Sequence, residues 1–93
     1  MTLDERNEFY QQMKEEYGMN SMLYIAIEEM AELQKELTKI LRGKGNCDNF
    51  IEEVADVEIM LEQLKHATGI PQEIVEEHKE YKIRRAQKEW LDK

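Results

Sequence analysis

Leu23, Ala26, Met30, Leu33, Leu37 and Ile40 recur at alternating steps of three and four residues. Phe50, Val54, Val57, Leu61 and Leu64 repeat that spacing. An average step of 3.5 keeps side chains on one side of an α-helix, whereas a strand face needs a step of two. The two segments are therefore expected to be helices that each bury a seam. Ile51, Ala55, Ile59 and Met60 widen the apolar surface of the second, which predicts burial on more than one side.

Capping residues and glycines mark the ends of these helices. Asp4 is the expected N-cap of a first helix running to about Tyr17, with Phe9, Tyr10, Met13 and Tyr17 as its apolar stripe. Gly18 should end it, and Asn20 or Ser21 should cap a second helix from about Met22 to Leu41. Gly43 to Asn49, GKGNCDN, reads as a loop, a flexible turn without the Walker pattern. Asp48 or Asn49 then caps a third helix from about Phe50 to His66, which Gly69 closes. Pro71 suits the first turn of a fourth helix ending near Trp90. No segment reads as a strand. The expectation is a single all-α domain, residues 1–93, a bundle of about four helices. A 93-residue chain buries a modest share of its surface, so completion by a second copy is also expected.

Charge narrows the function. Charged residues make up 37% of the chain, against roughly 25% in an ordinary globular domain, yet the apolar residues are frequent and periodic. That combination predicts folded helices rather than disorder. The net charge of −8, with no Lys/Arg stripe, disfavours a nucleic-acid polymer as partner. Cys47 is the one cysteine, so it reads as a surface thiol. No apolar run reaches the roughly 20 residues of a membrane span. The charged start MTLDERNEFY is unlike a signal peptide, and the expected location is cytoplasmic.

The chemistry resides in two matching segments, Glu28-Glu29-Met30-Ala31-Glu32-Leu33 and Glu52-Glu53-Val54-Ala55-Asp56-Val57. Each reads Glu-Glu-apolar-Ala-acid-apolar, and each sits at the same phase of its seam. Glu29 and Glu32 share a helix face, as do Glu53 and Asp56. Packing the seams together would bring four carboxylates across one groove. Two carboxylates about 6 Å apart repel by roughly 3 kcal/mol at an effective dielectric near 20, so such a groove calls for protons or cations. Oxygen donors without His or Cys select Mg²⁺ or Mn²⁺. The residues three before His66 and His78 are Gln63 and Val75, so the Glu-x-x-His repeat of di-iron bundles is missing. Spacing alone leaves a second reading open, in which these acids are solvated helix faces of a non-catalytic dimerisation module.

Glu28-Glu29-x-x-Glu32 followed some twenty residues later by Glu53-x-x-Asp56 resembles the signature of the MazG-like all-α nucleoside-triphosphate pyrophosphohydrolases. The resemblance covers Ser21 to about Ala86. It implies that Glu29, Glu32, Glu53 and Asp56 hold Mg²⁺, and that Glu28 supports the site or orients the attacking water. The implied reaction cleaves a (d)NTP at the α–β anhydride to a nucleoside monophosphate and pyrophosphate. The implied assembly is a homodimer or a dimer of dimers. The family's Asn-x-Lys-aromatic-x-Arg element is matched in part by Glu80-Tyr81-Lys82-Ile83-Arg84-Arg85. Lys82 and Arg85 occupy its basic positions and would contact phosphates. Glu80 stands where Asn is common, and Ile83 replaces the aromatic.

Overall fold

The computed structural model describes residues 1–91. It is all-helical: α1 spans Leu3–Leu41, α2 Cys47–Thr68 and α3 Gln72–Trp90, with no strand among the described residues. Thr2, rather than Asp4, caps α1. Its hydroxyl accepts from the Glu5 N–H at 3.1 Å while the Glu5 carboxylate accepts from the Thr2 N–H at 3.4 Å, a reciprocal capping box. Asn46, rather than Asp48 or Asn49, caps α2 by accepting from the Asn49 N–H at 3.1 Å. Pro71 stands at the N-cap of α3.

The first two expected helices are joined. Helical residues run through Asn20 and Ser21, but Gly18 sits at φ 83°, ψ 166°, outside helical geometry. α1 is thus two rods meeting at one residue. Side-chain contacts give their directions. In the first rod Arg6 pairs with Glu62 at 3.2 Å, and the Lys14 ammonium donates to the Ala67 carbonyl at 2.9 Å. Contacts therefore advance along α2 in the same sense as the chain. The second rod leads through the short turn after Leu41 back into α2 and lies antiparallel to it. Gly18 is where the chain reverses.

The Gly18 torsions fall in a region that only glycine occupies readily, where another residue costs of order 1–3 kcal/mol. A Cβ there would meet nothing within 4 Å, so the cost is purely one of backbone. Gly18→Ala is expected to destabilise the fold by about 1–3 kcal/mol in urea denaturation. An unchanged midpoint would show that the reversal tolerates an ordinary residue.

The core is small. Tyr10, Met22, Ala26 and Ala67 are its buried apolar residues. Tyr10 is 3% exposed, and its hydroxyl donates to the Glu62 carboxylate at 2.8 Å. Burial, then the hydrogen bond to Glu62, push its pKa up to about 12, so it remains a neutral donor at physiological pH. The expected loop to Asn49 is shorter than its composition suggests: Cys47–Asn49 already form the first turn of α2, and the connection is residues 42–46. The Gly43 N–H donates to the Ile40 carbonyl and the Lys44 N–H to the Lys39 carbonyl, at 3.0 and 2.9 Å. A Cβ on Gly45 would lie 2.9 Å from the Cα of Ile40, so close approach requires glycine there.

The seam differs from the expected one by a small rotation. Met22, Ala26, Glu29, Leu33 and Glu36, again at steps of four and three, are the buried or half-buried line of the second rod. Leu23, Met30, Leu37 and Ile40 are exposed. On α2, Ile51, Ile59 and Leu61 are exposed as well, so its expected burial on several sides is not met within one chain. α3 buries none of its residues, and only α1 and α2 pack on each other extensively. No helix is long and apolar enough to cross a membrane, among the described residues.

Candidate functional site

The rotation of the seam has a direct consequence for the acids. Because Glu29 and Glu36 occupy seam positions, they face α2 rather than solvent. α2 answers with Glu53 and Asp56, three apart and on one side of the helix. One carboxylate oxygen from each of Glu29, Glu53 and Asp56 lies within 4.8 Å of the others. Glu29 and Glu53 are half-buried.

Electrostatics follow from that convergence. The Glu29 carboxyl is held above its usual pKa of 4.5 by burial first, then by the charges of Asp56 and Glu53, its hydrogen bond with Asp56 and the charge of Glu32. Glu53 is raised likewise, by burial and then by Asp56, Glu32, Glu36 and Glu52. All the neighbours named are acidic. One oxygen of Glu53, Oε2, is buried and has no hydrogen-bond partner.

The expected residues are distributed unevenly about this centre. Glu29, Glu53 and Asp56 converge. Glu32 is exposed and stands outside the three-residue cluster, although its charge reaches both Glu29 and Glu53. Glu28 is exposed on the flank of the second rod. Lys82 and Arg85 lie on the exposed face of α3, where the Arg85 guanidinium sits 5.7 Å from the centre of the Tyr81 ring. Neither forms a hydrogen bond or ion pair with the clustered acids among the described residues. The paired motif gave no sign of Glu36, a buried carboxylate one heptad beyond Glu29. Its signal was available: it has the same seam phase as Glu29, once the seam is placed through the acids rather than beside them.

The donor set suits a hard divalent cation. It is oxygen-only, its ligand atoms are close enough for one ion to bridge, and it contains a buried carboxylate oxygen with nothing to bond. Comparisons with protein-family models, characterised proteins and solved structures returned no match.

Proposed function

We propose that the chain is a Mg²⁺-dependent nucleoside-triphosphate pyrophosphohydrolase that converts (d)NTPs to monophosphates and pyrophosphate, a house-cleaning activity on the nucleotide pool. The observation that carries this reading is the convergence of Glu29, Glu53 and Asp56 from two helices, with a buried oxygen of Glu53 lacking a partner. The resemblance of the paired motifs to the MazG-like signature supplies the reaction.

Glu29, Glu53 and Asp56, with Glu32 beside them, would hold Mg²⁺, for which Mn²⁺ could substitute. Such a cation would neutralise the triphosphate and polarise its phosphoryl oxygens. Glu28 orients the attacking water. The water oxygen bonds to the α-phosphorus and gives a proton to the Glu28 carboxylate, the bond to the bridging α–β oxygen breaks, and pyrophosphate leaves with the electron pair. Lys82 and Arg85 stabilise the negative charge on the departing phosphates. They can do so only once α3 is docked, because α3 packs on no broad surface of the single chain.

That requirement and the exposed apolar residues favour a homodimer or a dimer of dimers. Leu23, Ile27, Met30, Leu37 and Leu41 line one exposed helical stripe, with Ile27 at 64% and Leu41 at 87% exposure. Ile27→Lys is expected to lower the assembly mass in sedimentation equilibrium without unfolding the chain. A variant of unchanged mass would remove this stripe from the interface.

Incubating the pure protein with a panel of (d)NTPs and Mg²⁺, and separating the products, tests the function. Orthophosphate release in place of pyrophosphate would overturn the mechanism, and no turnover would overturn the function. The same exposed stripe favours a second reading, a non-catalytic acidic dimerisation module. Calorimetric titration with Mg²⁺ separates the two, since the module binds none. The reading places the protein in the cytoplasm, where its nucleotide substrates are, with neither a nucleic-acid polymer nor a membrane as partner.

A further inference from the structure

Glu36 is 6% exposed, although it carries a carboxylate in a chain with few buried residues. Its Oε1 accepts from the Lys39 ammonium at 3.1 Å, one helical turn along. Its Oε2 is buried and unpartnered, as is the Oε2 of Glu53 on the facing helix. The charge of Glu36 reaches Glu53, so these two orphaned oxygens belong to one acidic neighbourhood. A buried acceptor with no partner is costly, most of all when the group is charged. Native proteins satisfy such groups with protein, water or an ion.

Resting on the pyrophosphohydrolase reading and adding a residue to it, we propose that Glu36 is a fifth oxygen donor of the acidic groove and holds a divalent cation in common with Glu53. Glu29, Glu32 and Glu36 stand at steps of three and four on one side of α1, so the donor row extends a full heptad. Glu53 converges with Glu29 and Asp56 and feels the charge of Glu36, which ties Glu36 to that cluster.

Charge distinguishes a cation from a water in this position. Glu29, Glu32, Glu36, Glu53 and Asp56 carry five negative charges, and Lys39 returns one. A water would satisfy the two orphaned oxygens but leave the remaining four charges uncompensated. Two divalent cations balance them. Lys39 then acts as a competitor for Glu36, holding Oε1 while Oε2 is left buried and unpartnered.

The test is a Mn²⁺ titration of the full chain at neutral pH, read by electron paramagnetic resonance, for wild type, Glu36→Gln and Lys39→Met. Glu36→Gln keeps the side-chain volume and an acceptor for Lys39. It is expected to weaken Mn²⁺ binding about tenfold or more. Lys39→Met frees Oε1 and is expected to tighten binding, and it decides the matter where Glu36→Gln does not fold. Wild-type binding left unchanged by the decisive variant would overturn this inference alone, leaving Glu36 as the buried ion-pair partner of Lys39. A wild type that binds no Mn²⁺ would overturn the pyrophosphohydrolase reading as well.

Discussion

Asp56→Asn and Glu53→Gln are each expected to reduce pyrophosphate release about 100-fold or more, since loss even of a group that merely supports a metal ligand typically costs 10–100-fold. The same variants are expected to melt at a higher temperature than wild type when cations are removed by chelation. The two effects have one cause. Asp56 adds to the repulsion felt by both Glu29 and Glu53, and every neighbour acting on those two residues is an acid. Without a cation, a neutral amide in that place relieves repulsion. With one, it removes an anionic ligand. Activity and cation-free stability should therefore move in opposite directions. A surface carboxylate on an interaction module predicts neither change, because an exposed charge separated from its neighbours by solvent is worth little. Reduced activity together with reduced cation-free stability would indicate damage to the fold rather than loss of a ligand. Circular dichroism melts run alongside the product assay read both effects.

The helical class and the main glycine stops were legible because they depend on local chemistry. The apolar steps of three and four gave helices, and Gly69 with its left-handed φ of 72° and the turn at Gly43 appear where the residues placed them. The reversal at Gly18 was legible as a break, but its direction was not. It depends on Arg6, Tyr10 and Lys14 finding partners more than fifty residues away. The capping sites moved outward because Thr2 and Asn46 supply the oxygens that the first helical N–H groups need. The acidic site was read from pattern alone as four residues, of which Glu29, Glu53 and Asp56 converge most closely. Glu36 is invisible to the apolar pattern for a physical reason. Hydrophobicity places a seam through Leu23, Met30 and Leu37, whereas the chain turns that stripe outward and puts carboxylates at the helix contact. Burying acid in preference to leucine is unfavourable for a lone chain, and a bound cation with a second copy covering the leucines would remove both costs.

The cation-free protein should also show a pH dependence opposite to that of a typical carboxylate pairing. Glu29 and Glu53 have folded-state pKa values above the usual 4.5, with burial as the largest cause and Asp56 next. A folded state that holds its protons more tightly than the unfolded chain gains stability that is complete below pH 4.5 and is lost as pH rises through the folded values. Glu76, lowered by its hydrogen bond from Lys79, has the opposite sign, but it lies in the open on α3 and is the same in both proteins compared. The comparison is wild type against Glu29→Gln, whose amide does not titrate. Below pH 4.5 the two should melt close together, and toward neutral pH the cation-free variant should become the more stable. Saturating Mg²⁺ or Mn²⁺ at neutral pH should reverse the order, because a cation that binds only the folded wild type stabilises it by mass action, by about 2.7 kcal/mol at a hundredfold excess over Kd. Below pH 4.5 protons occupy the same oxygens, and the cation should lose its effect. Parallel melting curves for the two proteins at every pH, with no response to cation, would mean that these acids neither repel one another enough to matter nor hold a metal.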